Sequence, residues 1–251
     1  VMFISGVVVG EIIAAAPPAL MNSPWLFAVC FGVAIIVGGI FGTINGVLIT
    51  KLKIFPFMAT LLVGYIARGL GLTIAGVTKY DVAILGNIAN SRVLGIPVAF
   101  LIFLGIAIIG NIILRSTTYG KHMMAIGNNK TAAGQIGINV DMHIISAYVV
   151  CGMLAAVGGL LSAGQISEVF TTFGENNEFQ VISAAVIGGA SMFGGKGSIL
   201  PGALIGVLLI QVVLNGLGMM NASVYIYDVV RGAIIFLAVV IDCVNFKGEL
   251  R

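Results

Sequence analysis

Five ionisable side chains interrupt the apolar stretches of this 251-residue sequence and are the first candidates for chemistry. They are Glu11, Arg68, Asp228, Arg231 and Asp242. A charge inside an apolar stretch is costly unless it is paired or hydrated. Asp228 and Arg231 stand three residues apart, which is the spacing of an ion pair on one helix face. We therefore expect structural pairing of these charges, with the lining of a polar path as the alternative.

The sequence contains no pattern for catalysis, nucleotide binding or metal binding. The strings GNNKT (Gly127–Thr131) and GGKGS (Gly194–Ser198) lack the GxxxxGK[ST] spacing of a phosphate-binding loop. His122 and His143 stand apart, without an HExxH motif or paired carboxylates to complete a metal site. No nucleophile stands beside a base, so we expect this chain not to be an enzyme and to bind no cofactor itself.

Apolar stretches of membrane length must position these polar groups. Hydrophobic residues make up 59% of the chain and charged residues 8%, with a mean hydropathy of +1.15, whereas soluble domains carry about 25% charged residues. A membrane-spanning helix needs about 20 mostly apolar residues. The candidate spans are Met2–Leu20, Leu26–Thr50, Ile54–Gly76, Ile96–Leu114, Ile144–Gly164, a shorter Phe179–Phe193, Ile199–Gly218 and Val224–Val244. We predict an all-α, polytopic membrane protein with about eight passes, built as a single transmembrane domain over residues 1–251.

The charges of the connecting loops predict the orientation. When the spans alternate, one side receives the basic residues Lys51, Lys53, Arg115, Lys121, Lys130, Lys196, Lys247 and Arg251. The other side receives Lys79, Arg92, Asp81, Glu168, Glu175 and Glu178. The positive-inside rule places the first set, and with it the C-terminus, in the cytoplasm. Residues 77–95 and 165–178 then face outward. The basic residues form no patch interleaved with aromatic residues, so nucleic-acid binding is not expected.

One long polar segment, Arg115–His143, separates the apolar stretches near the middle of the chain. The charge rule places it at the cytoplasmic surface. Connections longer than about 15 residues are uncommon without a function. Its Asn and Gly residues are typical of helix caps and turns, and they predict a short surface helix over roughly Lys130–Ile136. We interpret this segment as a folded docking element, with a plain connecting loop as the alternative.

Glycine is abundant, with 35 residues, and most of these lie inside the predicted spans. Small residues let membrane helices approach closely, so most of the glycines need only a packing role. The segment Val181–Gly202 differs, because its glycines and proline separate apolar stretches too short to cross comfortably. It predicts a broken or half-length helix near residues 179–198. Cys30, Cys151 and Cys243 lack CxxC spacing and are typical of small packing residues.

A short sequence pattern occurs twice in the chain and indicates an inverted repeat. NGVLI (Asn45–Ile49) precedes a helix that contains YIARG (Tyr65–Gly69), and NGLGM (Asn215–Met219) precedes one that contains YDVVRG (Tyr227–Gly232). The two copies have opposite predicted orientations, and transporters with this arrangement hold substrate between the repeats. The copies are five helices apart, which predicts ten helices in the full protein. Because the chain starts inside an apolar stretch without Met or flanking charges, we expect residues to be missing upstream.

Four segments together resemble a known family. They are Phe55–Gly69, Tyr119–Val140, Tyr148–Ile166 and Ile182–Gly206, the last reading ISAAVIGGASMFGGKGSILPGALIG. They resemble the permease subunits of bacterial ABC importers for ribose, xylose, galactose and related monosaccharides. The resemblance covers most of the chain and is strongest from residue 119 onward. The family's upstream helices have no counterpart in this sequence, which agrees with a truncated start.

The resemblance implies partner subunits, each with its own function. A second permease subunit, identical or different, would complete the pathway in the bacterial inner membrane. Cytoplasmic ATPase subunits would bind ATP and Mg, and an extracytoplasmic binding protein would deliver the solute. Tyr119–Val140 would then be the coupling segment that contacts the ATPase. The expected contact residues are Tyr119, Gly120, Ala125, Gly127, Asn128, Ala132, Ala133, Gly137 and Ile138.

A neutral, polar sugar needs hydrogen-bonding side chains along its path. Candidates in the predicted spans are Asn45, Thr60, Arg68, Asn111, Gln211 and Asn215. A structural hydrogen bond or ion pair explains each of them at least as well. Two other functions stay open, a nucleoside or branched-chain amino-acid permease of the same superfamily and an ion-coupled secondary transporter. The lack of a carboxylate proton relay argues against the second of these.

Overall fold

The computed structural model describes residues 1–17, 24–76, 79–93, 95–192 and 194–249 and is predominantly helical. The helices are α1 (Met2–Ala15), α2 (Pro24–Thr50), α3 (Pro56–Ala75), α4 (Ala83–Ala89), α5 (Val98–Ser116), α6 (Thr118–Asn128), α7 (Lys130–Gln135), α8 (Val140–Ile166), α9 (Asn177–Ile187), α10 (Leu204–Met219) and α11 (Val224–Glu249). Four two-residue strands are β1 (Tyr80–Asp81), β2 (Arg92–Val93), β3 (Ile96–Pro97) and β4 (Glu168–Val169). The predicted all-α fold class is confirmed.

Within the described residues, five helices are long and apolar enough to cross a membrane. They are Trp25–Thr50, Pro56–Ala75, Val98–Ser116, Val140–Ile166 and Ile199–Met219, the last including the kinked turn before α10. Each agrees with a predicted span to within a few residues at either end. The chain is therefore a multi-pass helical membrane protein. The count of eight passes stays a prediction.

Contacts divide the chain into two compact units, residues 1–104 with 141–174 and residues 105–140 with 175–251. In the first unit, α1 is shorter than the predicted Met2–Leu20 span, whose last residues, 18–20, lie outside the described part of the chain. Fourteen residues rise only about 21 Å, less than the roughly 30 Å of a hydrocarbon core. Met2 packs beside Gly159 of α8, and Phe3 beside Gly71 of α3. Most residues of α1 are buried, so this helix lies in the core of the first unit, packed against α3 and α8.

Glycines hold α2 and α8 in close contact within the same unit. A methyl group on Gly38 would collide with the carbonyl oxygen of Gly152, and one on Gly42 would collide with that of Tyr148. Gly46 would meet the Cα of Ile145 at 2.8 Å. The spacing of four residues places these three glycines along one face of α2. The predicted packing role of the helical glycines is confirmed at this seam.

The two loops predicted to face outward pair with each other. β1 and β4 form an antiparallel ribbon in which Tyr80 lies opposite Val169 and Asp81 opposite Glu168. Lys79 Nζ lies 3.7 Å from the carboxylate of Glu168. Loops that hydrogen-bond to each other must lie at the same end of the unit. Their predicted placement on a common side of the membrane is therefore supported.

In the second unit, the short helix predicted from the glycine-rich segment is found as α9, with 11 residues. It ends where Gly188 caps it, and helical geometry resumes at Ile199–Ala203, a turn in which Leu200 is extended at φ −117° and ψ 127°. Methyl groups on Gly188 and Gly206 would collide with backbone atoms of the neighbouring segment. The break thus lets α9 and α10 lie backbone to backbone.

Candidate functional site

The polar segment between α5 and α8 is folded into two helices. Gly120 sits where α6 turns away from α5, and a methyl group there would collide with the carbonyl oxygen of Leu114. The Thr117 hydroxyl accepts from the backbone N–H of Gly120 at 3.3 Å and donates to the carbonyl of Ile113 at 2.5 Å. Thr117 therefore caps α6 while it holds the end of α5. The sequence did not predict α6, because the polar residues were interpreted as loop or turn.

Both ends of α7 are closed by recognisable caps, and the predicted surface helix is confirmed. The Asn129 side-chain oxygen accepts from the N–H groups of Thr131 and Ala132, each at 3.0 Å. At the other end, Gly137 adopts a φ of 86°. The N–H of Gly137 donates to Gly134 at 3.1 Å, and that of Ile138 donates to Ala133 at 3.2 Å. This bond pair is the Schellman motif, which favours glycine at its left-handed position.

Burial separates the nine predicted coupling residues into two groups. Asn128, Ala132 and Gly137 are exposed. The others are buried or half-buried and hold the segment together: Tyr119, Gly120, Ala125, Gly127, Ala133 and Ile138. The sequence interpretation missed Ile136, which is 75% exposed at the C-cap of α7. An apolar residue at the end of a six-residue polar helix was the signal available for it.

Two glycine-containing strings that were separate in the sequence meet in the structure. A methyl group on Gly127 would collide with the backbone nitrogen of Gly195, and one on Gly194 would lie 2.8 Å from the carbonyl oxygen of Gly127. One on Gly195 would collide with the side-chain oxygen of Asn128. The end of α6 therefore rests directly on the Gly194–Gly195 turn. Glycine at these positions permits backbone contact, which accounts for both strings without nucleotide binding.

The pathway candidates Asn45 and Thr60 have different surroundings in the first unit. Asn45 is 9% exposed, and its side-chain oxygen has no hydrogen-bond partner among the described residues. A buried, unpartnered polar oxygen costs about 1–3 kcal/mol. The Thr60 hydroxyl bonds within its own helix, with Pro56 and Phe57 carbonyls at 3.1 and 3.0 Å. Asn45 is therefore the member of this pair with an open hydrogen-bonding position.

The pathway candidate Arg68 is held by two structural contacts. Its guanidinium donates from Nη2 to the carbonyl of Thr171 at 2.7 Å and lies over the ring of Phe3 at 5.2 Å. Glu11, the charge in the apolar helix α1, accepts from the hydroxyl of Tyr80 at 2.5 Å. These contacts favour the structural interpretation of both charges.

Asn111, a third pathway candidate, bonds the backbone of the kinked turn. Its side-chain oxygen accepts from the N–H of Leu200 at 3.4 Å, and Arg115, one turn later on α5, donates to the carbonyl of Leu200 at 3.2 Å. Leu200 is the residue with extended geometry, so neither group is in a regular helix. The interhelical alternative is therefore favoured for Asn111.

The remaining pathway candidates, Gln211 and Asn215, lie on an exposed face of α10. Their side chains bond each other, from Nε2 to Oδ1, at 3.3 Å. The spacing of four residues places both on one face. They are thus the candidates that present hydrogen-bonding groups at the surface of their unit.

Asp228 and Arg231 of α11 form the predicted ion pair. These two lie 3.3 Å apart as an i,i+3 pair. With the Gln180 amide oriented to suit its donors, its oxygen also accepts from Nε and Nη2 of Arg231, at 3.2 and 2.6 Å. Asp242 accepts from the loop that follows α9. Within the described residues, no group of three His, Cys, Asp or Glu side chains is placed to hold a metal ion.

Comparison with known proteins supplies the family. The family described as branched-chain amino acid transport system / permease component matches residues 1–239. A ribose import permease protein of Haemophilus influenzae is 30% identical over 257 residues, spanning 100% of this chain and 76% of the relative. A D-allose transport system permease protein of Escherichia coli is 33% identical over 247 residues, or 96% of this chain and 72% of the relative.

A ribose import permease protein of Bacillus subtilis is 37% identical over 205 residues, covering 79% of this chain and 62% of the relative. No solved structure gives a significant match. The family match covers nearly the whole chain, including the polar segment with α6 and α7 and the glycine-rich break. The chain therefore belongs to the transport permease family described as the permease component of branched-chain amino acid transport systems.

Proposed function

We propose that this chain is the membrane-spanning permease subunit of an ATP-driven importer that passes a monosaccharide into the bacterial cytoplasm. The observation that carries this is the similarity, over 96–100% of the chain, to permeases named for ribose and D-allose. This subunit performs no chemistry of its own. ATP and Mg bind to a separate cytoplasmic ATPase, and a binding protein delivers the sugar on the outer side.

The ATPase docks on α7 and its flanking residues. Asn128, Ala132, Ile136 and Gly137 are exposed there, and the caps at both ends of α7 make it a rigid element. Ile136 supplies an apolar anchor among polar neighbours, as the centre of a docking surface requires. The buried members of the predicted set position these residues. ATP binding moves the ATPase, α7 follows, and the permease changes between outward and inward openings.

A second permease subunit pairs with this chain. The orientation follows the loop charges, with the C-terminus and the coupling segment in the cytoplasm. The paired outer loops at β1 and β4 face the binding protein. Gln211 and Asn215 offer hydrogen bonds to a neutral sugar, because they are exposed on α10.

The decisive experiment reconstitutes the full-length permease with its ATPase and binding protein in liposomes. We expect labelled ribose, allose, xylose or galactose to accumulate only when ATP and all components are present. Uptake driven by a proton gradient without the ATPase would overturn the proposal. Labelled leucine serves as the comparison solute, because the family description names branched-chain amino acid transport. ATP-dependent uptake of leucine but of no sugar would favour that second function.

A further inference from the structure

Asp242 lies near the end of α11 and binds a segment outside its own helix. Its Oδ2 accepts from the backbone N–H of Met192 at 2.9 Å and from the hydroxyl of Ser191 at 3.3 Å. A carboxylate that accepts a backbone N–H makes a charge-assisted bond, which is stronger than a neutral one. Asp242 therefore anchors the loop between α9 and the kinked turn to α11.

The anchored loop is closed on itself. The N–H of Ser191 donates to the carbonyl of Lys196 at 3.1 Å, and that of Gly194 donates back to Ser191 at 3.3 Å. Gly194 and Gly195 adopt φ values of 94° and 76°. These bonds close a turn that begins at Ser191 and ends at Lys196, and Asp242 holds Ser191 and Met192 at its start.

The other side of this turn contacts the coupling segment. Gly195 lies against Gly127 and Asn128 so closely that a methyl group on either glycine would collide with the other segment. Asn129 follows immediately and caps α7. One continuous series of hydrogen bonds and backbone contacts thus joins Asp242, the turn, the end of α6 and α7.

We propose that Asp242 is a positioning residue for energy coupling, which transmits movement of α7 to α11 through the Ser191–Lys196 turn. This inference rests on the proposed function, since α7 must be the element that the ATPase moves. Close-packed backbone contacts transmit displacement, because neither side can yield without losing its packing. The turn carries that displacement to α11 only while Asp242 holds Ser191 and Met192. Without the carboxylate, the turn shifts on its own and α11 does not move.

The test measures the number of solute molecules imported per ATP hydrolysed by the reconstituted full-length complex. Asp242→Leu keeps the branched outline of the side chain but removes the acceptor, whereas Asp242→Asn keeps an acceptor oxygen and nearly the same volume. We expect the ratio to fall about 2- to 30-fold in Asp242→Leu, because residues in such networks shift coupling by roughly 0.5–2 kcal/mol. Asp242→Asn should retain most of the wild-type ratio.

A purely structural role predicts something different. Transport and hydrolysis would then fall in parallel, and an unchanged ratio in Asp242→Leu overturns the proposal. If the Asp242→Leu protein does not reach the membrane in measurable amounts, Ser191→Ala is the second test. It removes one of the two bonds to Asp242 and should lower the import-to-hydrolysis ratio about twofold. An unchanged ratio in that variant also overturns it. Failure of the unsubstituted complex to import with ATP is a separate result, which overturns the proposed function together with this inference.

Discussion

The side-chain oxygen of Asn111 accepts the backbone N–H of Leu200 across 3.4 Å, at the one residue of its turn with extended geometry. Arg115 binds the carbonyl of the same residue. A break in a membrane helix frees backbone groups that lipid cannot satisfy, so a neighbouring helix must supply partners. Asn111 and Arg115 therefore explain how the chain tolerates a break at this point.

Replacement of Asn111 by Leu should destabilise the permease. The substitution leaves the N–H of Leu200 without its partner, at a cost of about 1–3 kcal/mol. Thermal unfolding of the purified protein in detergent measures this loss. Asn215→Leu is the matched control, because Asn215 lies on an exposed face of α10 and should change stability by less than about 0.5 kcal/mol. Equal melting temperatures for wild type and Asn111→Leu would refute the assigned role.

Addition of a methyl group to Gly42 should separate α2 from α8. The new Cβ would collide with the carbonyl of Tyr148, and such overpacking costs about 1–3 kcal/mol. Gly64→Ala is the control, since nothing lies within 4 Å of its added Cβ. Ala favours a helix by about 1 kcal/mol over Gly, so this variant should be unchanged or slightly stabilised. We expect a lower unfolding temperature for Gly42→Ala and an equal or slightly higher one for Gly64→Ala, and a stabilised Gly42→Ala would contradict the packing of α2 on α8.

Removal of the α7 cap should loosen α7 without unfolding the protein. Asn129→Ala loses bonds to the N–H groups of Thr131 and Ala132, worth about 0.5–2 kcal/mol. Asn129→Asp retains a capping oxygen and should behave like the wild type. Hydrogen exchange of residues 130–136 measures local opening, which we expect to increase about 2- to 30-fold in the Ala variant. Equal exchange in both variants would show that the cap does not hold α7.

Loss of the apolar group at Ile136 should weaken assembly with the ATPase. Ile136→Ser removes an exposed anchor, and loss of such a residue costs at least about 1 kcal/mol of binding free energy, or roughly fivefold in affinity. Thr131→Ser is a matched control on the same helix, because it keeps the hydroxyl group. Binding of purified ATPase to the permease in detergent gives the affinity. Identical affinities would place the docking surface elsewhere.

The sequence predicted correctly those features that depend on one local property, such as hydropathy, helical spacing or a cap residue. The apolar stretches predicted the long helices to within a few residues, since length and hydropathy alone determine what can cross a hydrocarbon core. The pair Asp228–Arg231 followed from helical spacing, and α7 from its cap residues. In contrast, α1 was predicted too long and α6 was missed, because local composition does not show where tertiary contacts end or support a helix.

The sequence by itself determined that this protein is a helical membrane protein with a folded polar segment, because hydropathy and loop charge act residue by residue. Tertiary structure alone decided which polar groups are already satisfied. Asn111 looked like a pathway residue and binds backbone, whereas the oxygen of Asn45 stays open within the described residues. Likewise, only the tertiary structure showed that Gly127 contacts the turn formed by Gly194 and Gly195. Partners distant along the chain are chosen by packing, which no local pattern encodes.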